Sequence, residues 1–155
     1  MKTKTMVLTL ALGFVAAAAV CFASQVQAGT WKLNEAKSKL APGVAKNNTV
    51  VIEAAGDDFK VTVDGTDSAG SATHNEWTGK FDGKDYALVG DPTADTRSYR
   101  KQGARTLLMT GKKGGKVTLT GRIVVTANGK SRTVTTTGTD AKGKRYKNIA
   151  VYDKG

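Results

Sequence analysis

The stretch KVTLTGRIVVTANGKSRTVTTTGT, residues 116–139, decides the fold. Val117, Leu119, Gly121, Ile123 and Val125 fall on one side of an extended chain, and Thr118, Thr120, Arg122, Val124 and Thr126 on the other. That period of two marks an antiparallel strand with one buried face. Asn128-Gly129 then supplies residues that tolerate positive φ in a two-residue loop. Residues 131–139 resume as a second strand, with Ser131, Thr133, Thr135, Thr137 and Thr139 on one face and Arg132, Val134, Thr136 and Gly138 on the other. A threonine face turned inward would give a partly polar lumen.

The same theme runs outward in both directions. Runs of β-branched and aromatic residues alternate with turn dipeptides, namely Gly56-Asp57, Asp64-Gly65, Asp82-Gly83, Gly114-Gly115, Asn128-Gly129 and Lys142-Gly143. They predict strands over 31–33, 49–54, 59–63, 72–81, 85–89, 96–101, 105–110, 116–126, 131–139 and 145–153. Asp82-Gly83 reads, like Asn128-Gly129, as a strong two-residue hairpin. Only residues 34–40 read as helical, with Asn34 as N-cap and Pro42-Gly43 as terminator. A one-faced apolar meander of this length must fold into a sandwich or close on itself, and closure removes its exposed edges. The expected fold is therefore all-β, a single-domain up-and-down antiparallel barrel of about 8–10 strands with a short N-terminal helix.

The chain has 155 residues, one His and one Cys. Its start carries Lys2 and Lys4, an uncharged stretch over 6–23 and a small, polar tail ending in Val26-Gln27-Ala28. This reads as a secretory signal peptide over 1–28, cut after Ala28, leaving a barrel domain over 29–155 in the bacterial periplasm with no transmembrane span. Cys21 leaves with the leader, so no disulfide holds the domain. A Cys/His zinc site is excluded, and any His-dependent chemistry must run through His74. Glu76 shares its strand face, but the sequence places no nucleophile beside the pair. Asp57-Asp58 and the 64–68 segment lack the spacing and closing Glu of a calcium loop, and no phosphate loop or nucleotide fingerprint occurs. No catalytic residue, metal site or cofactor is expected.

Charge is divided along the chain. Residues 29–95 hold seven basic and eleven acidic side chains, a net of −4, whereas residues 96–155 hold fifteen basic and two acidic, a net of +13. In a meander the two halves occupy opposite sides, so a positive face survives folding. Arg97, Arg100, Lys101, Lys144, Arg145 and Lys147, interleaved with Tyr99 and Tyr146, form a candidate surface for anionic lipid or polysaccharide. Export argues against nucleic acid as the partner.

Gly29-Thr30-Trp31 resembles the Gly-x-Trp start of lipocalin-type barrels, and Gly29-Thr30-Trp31-Lys32-Leu33 is similar to the first strand of intracellular fatty-acid-binding proteins, both calycins. The resemblance implies a closed barrel in which Trp31 plugs one end beneath a basic residue from a late strand, with Arg122 and Arg145 as candidates. The chain also resembles a group of small secreted bacterial proteins that share the run over 29–39, the segment Trp77 to Tyr86 and the Val151 to Lys154 end. That resemblance implies no activity. Where fatty-acid-binding proteins carry an Arg-x-Tyr carboxylate clamp, this chain reads Ala150-Val151-Tyr152. The functional expectation is a barrel that binds a small hydrophobic or amphipathic molecule, lined by Trp31, Phe59, Val61, Trp77, Val117, Leu119, Ile123 and Tyr152. The alternatives are the basic surface above and a filled barrel with no ligand.

Overall fold

The computed structural model describes residues 25–140 and 142–155; residues 1–24, which hold Cys21 and most of the leader expected over 1–28, lie outside them. Ten strands follow one another: β1 (Gly29–Leu33), β2 (Lys46–Ala55), β3 (Asp58–Thr66), β4 (Ala72–Gly79), β5 (Tyr86–Val89), β6 (Thr96–Lys101), β7 (Thr106–Lys113), β8 (Lys116–Val125), β9 (Ser131–Thr139) and β10 (Arg145–Lys154). Each pairs antiparallel with the next, and β1 also pairs with β10, so the sheet closes on itself. Because every neighbour is antiparallel, the turns gather at two ends. We call the end that holds residues 25–28 and the β8–β9 turn the lower end, and the end that holds the β1–β2 and β9–β10 connections the upper end.

Alternation along the strands aims one apolar set inward: Val50 and Ile52 on β2, Val61 and Val63 on β3, Trp77 on β4, Leu107 and Met109 on β7, Ile123 and Val125 on β8. On β9 the inward set is Arg132, Val134, Thr136 and Gly138, which pair with the inward Tyr152, Ala150, Asn148 and Tyr146 of β10. The threonine face therefore points outward, and Thr120 and Thr137 hydrogen-bond to each other there at 2.9 Å.

Several local expectations are corrected. The helix over 34–40 is a single 3-10 turn, Glu35–Lys37, whose Asn34 cap accepts from the Lys37 amide. Beyond it the chain lies along β10 instead, through Lys39 amide to Ile149 carbonyl at 2.7 Å and the reverse bond at 2.8 Å. The two-residue hairpins are Gly56-Asp57, joining Ala55 and Asp58, and Gly114-Gly115, joining Lys113 and Lys116. Both Gly114 and Gly115 take positive φ, 55° and 78°, as a type I′ loop demands. Asn128-Gly129 belongs to a longer connection: Gly129 donates to the Thr126 carbonyl at 2.9 Å and alone takes positive φ, at 71°. Asp82-Gly83 makes no two-residue hairpin: it lies inside the longer connection 80–85 between β4 and β5, where Asp82 bridges to Arg100 on β6. Asp64-Gly65 lies inside β3, where β2 shifts register between Asn47 and Thr49.

Candidate functional site

The lumen is sealed below and polar above. At the lower end Trp31 is fully buried. Its indole N–H donates to the Gln27 carbonyl at 2.9 Å. Over its ring lies the guanidinium of Arg132, with Cζ 4.9 Å from the ring centroid and 5.1 Å from that of Tyr152. The basic residue over Trp31 is thus Arg132, not Arg122 or Arg145. Those two sit on outward strand positions and are exposed, Arg122 bonding to Gln102. Arg132 is 3% exposed and burial brings its pKa down from 12.5 to about 10, which still leaves a cation at neutral pH. Burial likewise pushes Tyr152 up to about 12. Two aromatic faces give a desolvated cation roughly 2 kcal/mol each, yet Arg132 Nε and Nη1 have no hydrogen-bond partner.

Beside this plug an aromatic group fills the β3–β6 wall. Phe59 stacks on Phe81 at 4.4 Å, and Trp77 meets Tyr99 edge-on at 4.8 Å. Trp77 is anchored by its indole N–H on the Arg97 carbonyl at 2.8 Å. Phe59, Val61, Trp77 and Ile123 therefore face the interior as packed core rather than as walls of an open cavity.

Toward the upper end small and polar inward residues, namely Asn75, Arg97, Gly111, Gly121, Thr136, Gly138 and Asn148, join apolar ones such as Leu33, Val63, Leu88 and Val134. Asn75 Oδ1 and Arg97 Nε are buried without a hydrogen-bond partner. Arg97 reaches Asp91 at 3.1 Å through Nη2, and both side chains are largely buried. On the β1, β2, β9 and β10 side of this end a cavity of about 50 Å³ opens among Leu33, Leu40, Val134, Thr136, Asn148, Ala150 and Tyr152, with neither Asn75 nor Arg97 in its lining. Asn148 Oδ1 accepts from the Ala41 amide at 2.7 Å, which ties the β1–β2 connection across this mouth.

One expected lining residue, Val117, stands elsewhere, and Leu119 stays with the core. Val117 is 52% exposed, beyond the register shift at Gly111/Lys112 that takes the top of β8 out of the inward alternation. It borders an outer depression of about 230 Å³ on β8 and β9, together with Thr118, Leu119, Thr120, Thr137, Gly138, Thr139 and Arg145. Leu119 is half-buried and packs on the core.

The candidate polyanion residues are not brought together. Arg97 is buried; Arg100 and Lys101 stand at the lower end of β6; Lys144, Arg145 and Lys147 stand exposed at the upper end of β10, with three strands between the groups. His74 is exposed, with Nδ1 2.6 Å from Asp64 and Nε2 3.3 Å from Glu76, which also pairs with Lys60. The hydrogen bond to Asp64, then that to Glu76, raises its pKa above 6.5. The aspartates of 64–68 serve the chain: Asp67 Oδ1 accepts the Ala69 and Ser71 amides, each at 2.9 Å. Among the described residues no group of three His, Cys, Asp or Glu side chains is arranged to hold a metal ion, His74 with Asp64 and Glu76 included.

Missed by the sequence reading were Arg132, Asn75, Asn148 and Gln27. Arg132 was within reach, because pairing β8 with β9 around residues 126–130 sets it opposite inward Val125.

The fold and the plugged lumen define a closed, ten-strand antiparallel barrel. Its arrangement is similar to that of a redesigned beta barrel, mFAP1, bound to DFHBI, at 14% identity and TM-score 0.49 over 86% of this chain and 99% of that one. It is also similar to EF1p2_mFAP2b bound to DFHBI, at 12% identity and TM-score 0.49 over 86% and 98%. No protein-family model and no curated protein matches the chain.

Proposed function

We propose that the protein is a non-catalytic binding barrel that takes a small amphipathic molecule into its upper lumen. The observation that carries this reading is the cavity at the upper end, where polar Thr136 and Asn148 stand beside apolar Leu33, Leu40 and Val134, a lining suited to an amphipath. Elsewhere in the upper half Asn75 Oδ1 and Arg97 Nε are buried without a partner, although the sealed lower end holds such atoms too, on Gln27 and Arg132. The cavity beside Asn148 and Tyr152 holds about 50 Å³, well below the 300–1,000 Å³ typical of ligand pockets. Uptake therefore requires the β1–β2 connection, held by the Asn148–Ala41 bond, to lift from the mouth. The wild-type protein and Ala150→Phe, which fills the mouth, should be titrated with a panel of small amphipaths while Trp fluorescence is followed. A spectral change that Ala150→Phe weakens at least about tenfold is expected; equal response in both proteins contradicts lumen binding.

A second reading has its own observation. The outer depression presents four threonine hydroxyls beside Arg145, with Lys144 and Lys147 near it in the chain, a combination suited to an acidic saccharide or anionic headgroup at the bacterial envelope. Export to the periplasm belongs to both readings and rests on the leader pattern over 1–28.

A further inference from the structure

We propose that export processing cuts this chain upstream of Gln25, not after Ala28, and that residues 25–28 remain as the stopper of the barrel's lower end. The proposal takes the secretory leader as its starting point and asks where the leader ends. Three observations place residues 25–28 with the barrel.

The first is packing. Gln27 is 0% exposed, its carbonyl accepts the Trp31 indole N–H at 2.9 Å, and its Nε2 donates to the Arg105 carbonyl in the β6–β7 turn at 3.3 Å. The segment is closed on itself by the Ala28 amide donating to the Gln25 carbonyl at 3.1 Å, and Val26 packs against the core. A cut after Ala28 would strip the acceptor from a fully buried indole and uncover the underside of Trp31.

The second is backbone geometry. Gly29 holds φ at 123°, a conformation that L side chains rarely adopt. This is the bend that carries residues 25–28 back beneath Trp31. Gly29 as the first residue of a chain would have no such bend to make.

The third is charge. A cut after Ala28 creates an α-ammonium at Gly29, where Lys154 already lies alongside: its Cε is 2.6 Å and its Nζ 3.4 Å from the position a Cβ on residue 29 would take. Lys154 Nζ is also 5.1 Å from the Trp31 ring centroid, and Arg132 covers the same ring system at 4.9 Å. An amine with a pKa near 7.7–8.0 would be largely protonated at neutral pH, so a further cation would be added beside Lys154, which already shares the Trp31 ring with Arg132.

Upstream, Cys21-Phe22-Ala23 puts small residues at the two positions a signal peptidase reads, one and three residues before the bond. The assigned step is hydrolysis of the Ala23–Ser24 peptide bond by such a protease. Water gives its hydroxyl to the Ala23 carbonyl carbon and its proton to the departing Ser24 nitrogen.

The test is N-terminal sequencing with intact-mass measurement of the full-length chain, expressed with its own leader in a bacterium and recovered from the periplasm. A mature chain starting at Ser24 or Gln25 is expected. A start after Gln25, Gly29 above all, or a chain still carrying its leader overturns the proposal. As an independent arm, chains made to start at Gln25 and at Gly29 are compared by thermal unfolding, with Val26→Ser, which removes the apolar contact of residues 25–28 with the core, as a milder lesion should the shorter chain not fold. A Tm lower by about 5 °C or more is expected for the shorter chain, or a lower Tm for Val26→Ser; equal Tm values overturn the stopper role.

Discussion

Arg132 is the residue on which the lower interior turns. Its guanidinium fills the space between Trp31 and Tyr152, so Arg132→Ala removes both the packing and the cation–π contacts and should cost about 2–4 kcal/mol in urea unfolding. Arg132→Met fills much the same volume without burying a charge and should lose much less, because an apolar replacement of a buried ion is often neutral. Equal losses for the two variants would show that the charge itself holds the plug. Asn75 makes the opposite case. Replacing it with Leu removes a buried orphan acceptor, so the urea midpoint should rise while uptake of the amphipath falls, the trade expected where a polar atom is kept for binding rather than for stability.

His74 gives a pH-dependent readout at the same scale. Its hydrogen bond to Asp64, seconded by Glu76, favours the imidazolium and raises its pKa. A group raised in the folded state stabilises the fold fully below its unfolded value near 6.5, and that contribution is lost as pH rises through the folded value. An NMR titration of the imidazole should show a midpoint above 6.5 that moves down in Asp64→Asn.

At the scale of elements, the strands and most turn positions were legible, and the lengths of the loops were not. Alternation is a property of side chains facing a core, so Val117 to Thr126 revealed its buried face directly, apart from Val117 itself, which the register shift beside Lys112 turned out. Turn dipeptides say that glycine is tolerated but not how many residues the loop spans. Asn128-Gly129 therefore read as a two-residue hairpin although the connection runs over 126–130, and Asp82-Gly83 closes onto β6. The short helix shrank because residues 38–41 find better partners on β10 than in a second helical turn. Of the candidate site, the apolar core was readable from β-branched and aromatic spacing. The polar upper lining was not, since Asn75, Asn148 and Arg97 look like surface residues until closure sets them face to face. Gly138 tests the packing of one such pair. Tyr146 Oη lies 2.7 Å from where its Cβ would be, and the Thr118 carbonyl 3.0 Å, so Gly138→Ala should displace the tyrosine and lower stability by roughly 1–3 kcal/mol. Gly103→Ala, in open space, serves as the neutral control.

For the whole molecule, closure converts a charge split along the chain into two sides of a barrel, with the acidic β2–β5 and the basic β6–β10 walls opposed. The basic wall is divided, however: Arg145 lines the threonine depression, Lys147 pairs with Thr137 beside it, and Lys144 adjoins Arg145 in the chain. Retention on a sulfated polysaccharide column should therefore move to lower salt when these three are neutralised, and should change little for Arg100→Gln with Lys101→Gln. The reverse pattern would place any anion surface at the lower end of β6. The lumen claim is tested most directly by native mass spectrometry of the protein recovered gently from the cells that make it. The account predicts one small-molecule adduct per chain, released by organic solvent and absent from Ala150→Phe. A bare chain mass, together with no uptake from the amphipath panel, would contradict it and leave a filled barrel.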